Sequence, residues 1–171
     1  QKNMFLFFML PQREKLGVRK NKGLGELPSE ENLQLSVDEL SFTRKESKKE
    51  WHLSYDGTLV DPYQEHNAPV AVQFDLDFVG LHPLFNYRDC PISALQEKLS
   101  KNVASEHLEQ YGKVTGTLTI DDEHYDINAL GERDHSWGVR NWTEPKRWVW
   151  LTCQFNNDFA FNITKLTVAE G

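Results

Sequence analysis

The densest chemistry in the sequence lies in Gly131-Glu132-Arg133-Asp134-His135-Ser136-Trp137-Gly138-Val139-Arg140-Asn141-Trp142, followed by Trp148 and Trp150. Twelve residues hold two arginines, two acids, a histidine, a serine and two tryptophans. In an extended chain, Arg133, His135 and Trp137 share one face and Asp134 and Ser136 the other, because strand side chains alternate. That alternation argues against an Asp134-His135-Ser136 relay, since neighbours in a strand point apart. Acid–base work by Asp134 or His135 in a tryptophan-lined cavity is chemically reasonable: an apolar site shifts carboxyl and imidazole pKa values, and histidine titrates near neutrality. The plain alternative is a structural ion-pair network, with Arg133 and Arg140 clamping Asp134, Glu132 or Glu109 and tryptophan stacked on guanidinium. A metal site is not expected, because the six histidines are scattered without H-x-H or H-E-x-x-H spacing. Gly23-Leu24-Gly25 lacks the Lys-Ser/Thr of a phosphate loop. No cofactor is expected either.

A buried carboxylate needs donors, so Asp134 is expected to be substantially buried and paired. Strand alternation favours Arg140, a backbone amide, or His107 on a helix over the adjacent Arg133 as its partner.

The elements that must position these groups read mainly as β. Leu33, Leu35 and Val37 alternate with polar residues, and Leu40 to Thr43 extends the sheet. Trp51 to Tyr55 alternates again, with Asp56-Gly57 as a two-residue turn signal. Val70 to Phe78 is the clearest strand: Val72, Phe74, Leu76 and Phe78 face one way, Gln73, Asp75 and Asp77 the other, as in an antiparallel sheet. Leu95, Leu99 and Val103 recur at four-residue steps, which predicts one helix from Ile92 to Gln110, ended by Gly112. Lys113 to Ile120 and His124 to Asn128 form a hairpin about Asp121-Asp122-Glu123. Arg147 to Phe155 and Phe159 to Val168 form another about Asn156-Asn157-Asp158. The basic, glycine-rich residues 12–29 read as a loop. Eight to ten strands and one helix make an antiparallel barrel or strongly curved sheet, with a packed interior or a ligand cavity.

Length and charge narrow the classes. The 171 residues fit a single domain able to bury a core without staples. A net charge of −7 speaks against nucleic acid as a partner. The longest apolar run, Met4 to Leu10, is far short of the roughly 20 residues a membrane helix needs. Two cysteines, Cys90 and Cys153, are too few for a disulfide framework, and reduced thiols in a cytoplasmic protein are expected. Asn141-Trp142-Thr143 and Asn162-Ile163-Thr164 match the glycosylation sequon, but both sit in strand-like sequence. Both ends are strand-like runs whose backbones need neighbours, so a longer polypeptide, tandem barrel or assembly partner is expected beside the reading of ordinary edge strands.

The sequence is similar to a lipocalin-like domain. The resemblance is carried by His107-Leu108-Glu109-Gln110, Gly112-x-Val114-x-Gly116-x-Leu118, Tyr125, and Gly131-x-Arg133-Asp134-His135-Ser136-Trp137-Gly138-x-Arg140-x-Trp142. Asp134-His135-x-Trp137-Gly138 resembles the Asp-His/Arg-x-Trp element of the carotenoid hydratase and AttH-like group. The wider string resembles a domain at the front of animal phosphoenolpyruvate synthase-like proteins. The resemblance implies a lipocalin-like barrel and, from the hydratases, an acid at Asp134. It implies no phosphotransfer by these residues. The expected function is binding of a hydrophobic or amphipathic small molecule, with isomerase, hydratase or cyclase chemistry within reach. Asp134 and His135 would be catalytic, and Trp137, Trp142, Trp148, Trp150, Arg133, Arg140, His107 and Glu109 would bind the ligand. The alternative is a non-catalytic structural or regulatory module of a larger phosphotransferase-like enzyme or assembly.

Overall fold

The computed structural model describes residues 2–10, 13–22, 33–46, 49–60, 68–139, 141, 143 and 145–168. The chain forms two compact units. Unit 1 comprises Gln1–Val79 and Val114–Ala129, and unit 2 comprises Gly80–Lys113 and Leu130–Gly171.

Unit 1 begins with β1 (Lys2–Leu10) and β2 (Arg13–Lys22), paired antiparallel with Phe7 opposite Gly17. The expected 12–29 loop is therefore a strand over Arg13–Lys22, while residues 23–29 of that expectation lie outside the described residues. Pairing overrides the polar composition here: β1 presents a row of backbone groups, and β2 satisfies them. β3 (Gln34–Val37) and β4 (Leu40–Glu46) form a tight hairpin turned by Asp38, at φ 50. β5 (Glu50–Val60) pairs with β4 and, along its whole length, with β6 (Pro69–Gly80).

Asp56-Gly57 makes no turn. Asp56 faces Gln73 and Gly57 faces Val72 in an unbroken ladder. Both halves of β5 have partners on β6, so tertiary pairing overrides the local signal. The glycine serves packing instead: a Cβ on Gly57 would lie 2.7 Å from the Tyr55 hydroxyl oxygen.

The β6 alternation is as its sequence implies, with Val70, Val72, Phe74 and Phe78 buried and Gln73 and Asp75 exposed. With Leu40, Tyr55, Leu59, Leu118 and Ile120, the first three form one apolar cluster. Tyr55 stacks on Phe74 at a centroid distance of 5.7 Å. Leu118 and Ile120 come from the end of β8 (Glu106–Ile120), which turns at Asp121, φ 51, into β9 (Glu123–Trp137). Asp121 locks that turn: its N–H donates to Ala71 O at 2.8 Å and its Oδ1 accepts from Ala71 N at 3.0 Å.

Unit 2 holds β7 (Phe85–Asn86), a 3-10 turn over Tyr87–Asp89 and α1 (Ala94–Val103). It also holds the first part of β8, the last part of β9, and the hairpin β10 (Pro145–Gln154) and β11 (Ala160–Val168). That hairpin closes as its sequence implies, with Asn156 Oδ1 accepting the Asp158 and Phe159 N–H groups, each at 2.8 Å. A capping box of Ser93 and Gln96 starts α1.

The helix is shorter than the expected 92–110. It stops at Val103, Ala104 is extended, and Glu106 to Gln110 belong to β8. The four-residue rhythm misleads because Leu95 is 67% exposed and Leu99 only half-buried. Beyond it, Leu108 and Glu109 find strand partners in Asn86 and Phe85. Gly112 lies within the strand rather than at a helix end.

The architecture is mainly β and antiparallel, with one α-helix among the described residues. Among those residues the pairing path β1-β2-β5-β6-β8-β7, with β4 on β5 and β9 on β8, does not return to its start. No helix among them is long and apolar enough to cross a membrane. Cys90 and Cys153 are free thiols.

Candidate functional site

Alternation along β8 places His107 and Glu109 on one face, and both are buried, at 8% and 1% exposure. Alternation along β9 gives Glu132 and Asp134 a common face in the same way. The two strands pair, and their acids converge on one imidazole. His107 Nε2 lies 3.2 Å from Glu109 Oε1 and 3.2 Å from Asp134 Oδ1. These are ion-pair distances, yet no hydrogen bond from Nε2 is directed at either oxygen. Burial opposes the His107 charge and is the largest single influence on it. The Asp134 and Glu109 contacts together outweigh burial and push its pKa up to about 9.

Glu109 is held from two further sides. Its Oε1 accepts from the Tyr87 hydroxyl at 3.1 Å and from Trp150 Nε1–H at 3.1 Å. The Tyr87 ring stacks flat on His107, with centroids 4.3 Å apart and planes 7° apart. Its hydroxyl also meets the Asn162 carboxamide and, at 3.3 Å, Thr164 Oγ1. Burial raises the Tyr87 pKa, and the Glu109 charge adds to the rise. Glu132 is likewise pushed up, by burial first and then by the Glu109 charge, against the bond it accepts from Thr152 Oγ1. Tyr111, raised by burial, bonds with Thr152 Oγ1 at 2.9 Å and donates to Phe161 O at 2.8 Å.

Beside the cluster lies a cleft of about 60 Å³ lined by Tyr87, Ala104, His107, Trp148 and Leu166 together with the polar Arg88, Ser100 and Thr164. Arg88 is anchored by Ser100 Oγ at 3.2 Å and Ala104 O at 3.4 Å, and its Nε is buried without a hydrogen-bond partner.

The structure brings together His107, Glu109, Asp134, Trp148 and Trp150 from the residues singled out in the sequence. His107 is the partner of Asp134, but it reaches Asp134 from a strand rather than from a helix. Asp134 is 37% exposed instead of substantially buried, because it sits toward the end of β9 with one flank open. Arg133, His135 and Trp137 form a ladder of the opposite strand parity. Arg133 Nη2 is 3.1 Å from His135 Nδ1, and His135 and Trp137 have ring centroids 4.8 Å apart. Burial, then the Arg133 charge, lowers the His135 pKa. Arg140 and Trp142 lie outside the described residues. Tyr87 and Arg88 escaped notice because they sit in loop-like sequence. Glu132, two residues before Asp134, had a usable signal in its strand parity.

A family model matches residues 1–171, over the full chain, and its description is a domain of unknown function, DUF7064. The chain belongs to the DUF7064 family. No curated protein and no solved structure matches it. Within this family member, the geometry offers a largely apolar cleft whose floor carries Tyr87 and the His107 imidazole, the imidazole in turn meeting Glu109 and Asp134. Such a floor can donate to, accept from or exchange protons with a bound oxygen atom.

Proposed function

We propose that unit 2 binds a small amphipathic molecule in the cleft between Trp148, Leu166 and Ala104. Its polar end meets Tyr87 and His107. The observation that carries this reading is the placement of apolar walls directly beside the Tyr87–His107–Glu109 cluster. Ligand sites pair an apolar lining with a few convergent polar groups. The volume suits a ring or short chain, not a whole lipid. The lipocalin-like resemblance supports the same reading, with Asp134 as the acid of hydratase-, isomerase- or cyclase-type chemistry acting beside His107.

The test is saturation-transfer NMR of the chain with benzoate, indole and hexanol. Transfer to at least one of them, lost in Trp148→Ala, is the expected result. Absence of transfer from folded wild-type protein would sink the reading.

A second reading, a non-catalytic module of a larger assembly, draws on the exposed apolar residues Leu151, Phe155, Phe159 and Ile163 of the β10–β11 hairpin. Gel filtration showing self-association that Leu151→Lys abolishes would favour it.

A further inference from the structure

We propose that His107, Glu109 and Asp134 form a site for one divalent first-row transition-metal ion of the Zn²⁺ type. The donor atoms of these three side chains lie within 4.8 Å of one another. Bonds of about 2.0–2.2 Å at near-tetrahedral or octahedral angles place neighbouring donors roughly 3.0–3.6 Å apart. Nε2 stands 3.2 Å from Glu109 Oε1 and 3.2 Å from Asp134 Oδ1, inside that span, and the remaining carboxylate pair, within 4.8 Å, would draw in around a bound ion. The placement of Nε2 is the second observation. His107 is 8% exposed, and no hydrogen bond runs from its Nε2 to either carboxylate. A buried imidazole nitrogen within 3.2 Å of an oxygen from each of two carboxyls, and hydrogen-bonded to neither, is placed where it could share an ion with both.

The donor chemistry narrows the ion. One imidazole and two carboxylates, without thiolate, suit Zn²⁺, Mn²⁺ or Fe²⁺ better than the soft Cu⁺. Charge points the same way. Glu109 and Asp134 are two carboxyls on one imidazole, and a cation compensates what the imidazole alone does not. The outer contacts are those of a ligand held in place: Trp150 Nε1–H and the Tyr87 hydroxyl both fix Glu109 Oε1. The 37% exposure of Asp134 supplies an entry path. The pattern escaped the sequence because its ligands come from two strands, as His-x-Glu on one and a distant Asp on the other.

The proposal stands apart from the cleft reading, because its test uses metal alone and no organic ligand. The experiment titrates the chelator-treated chain with Zn²⁺ by calorimetry and with Co²⁺ by its visible d–d absorption. One site is expected, with d–d bands that His107→Ala abolishes. Asp134→Asn changes an exposed rim residue and keeps the fold, as circular dichroism would verify, and should weaken Zn²⁺ binding by about tenfold or more. His52→Ala, at the surface cluster with Asp75 and Asp77, should leave binding unchanged. No binding by folded wild-type protein, binding that survives both His107→Ala and Asp134→Asn, or binding lost in His52→Ala would each overturn the proposal.

Discussion

The two units bury different things. Among the described residues, the buried apolar side chains Leu40, Trp51, Tyr55, Leu59, Val70, Val72, Phe74, Phe78, Leu118 and Ile120 all belong to unit 1, and Ala104 alone to unit 2. The buried polar ones, His107, Glu109 and Gln110, all belong to unit 2. Unit 1 is organised as a stability device, an alternating ladder over a dry cluster. Unit 2 keeps ionisable groups out of water at a cost in free energy, and that cost is why the proposed site is sought there.

The sharpest test of this contrast is a large-to-small change in unit 1. Phe74→Ala removes a ring stacked on Tyr55 in the apolar cluster and should cost about 3–5 kcal/mol in denaturant unfolding. A loss under about 1 kcal/mol would mean that the cluster is not the source of stability.

In unit 2 a polar deletion should go the other way. Glu132→Gln, with a chelator present, should be neutral or stabilising by up to about 1 kcal/mol at neutral pH, after allowing for solvent screening. The sign follows from linkage. Glu132 has a folded pKa above the ordinary 4.5, so the native state holds the proton more tightly than the unfolded state does. Wild-type stability therefore falls as pH rises from about 4.5 through the raised value, and the variant lacks that slope. Unfolding curves of the two proteins that stay parallel across that range would remove Glu132 from the strained cluster.

The smallest effect belongs to the surface of unit 1. Lys45 first, then His52, holds the Asp77 carboxyl below its usual 3.8. Lys45 Nζ lies 2.6 Å and His52 Nδ1 2.9 Å from Asp77 Oδ1. The pair is exposed, so Asp77→Asn should cost under about 1 kcal/mol and less in high salt. The contribution is present above pH 3.8 and is lost as pH falls through the lowered folded value. A salt-independent loss of several kcal/mol would place a buried charge where the structure has a solvated one.

Much of unit 1 was legible because its strands obey one period and their partners are near in sequence. The β6 faces and the Asp121 turn follow from local pattern, as does the Asn156 hairpin of unit 2. Asp56-Gly57 failed because a turn signal competes with eleven residues of ladder pairing. In unit 2 the alternation of Arg133, Asp134 and His135 was legible, and it separated the ladder from the acid that meets His107. The helix boundary was not, since Leu99 and Val103 satisfy helical spacing whether or not the chain continues as helix. Nor was Tyr87, whose role depends on a stack with His107 that no local pattern encodes.

The β8 strand changes its buried parity between Glu109 and Gln110. His107 and Glu109 are buried at odd positions, Gln110, Gly112, Leu118 and Ile120 at even ones. Within the even stretch Gly116 sits at φ +142, with space for no Cβ because Asp75 O would lie 2.1 Å away. The gene is thus constrained in phase as well as in composition. A one-codon insertion or deletion between Gly112 and Leu118 reverses one end of the strand relative to the other, exposing either the apolar pair or the acid–imidazole pair. A two-codon change preserves both faces, so length variation among family members in this stretch should come in even steps.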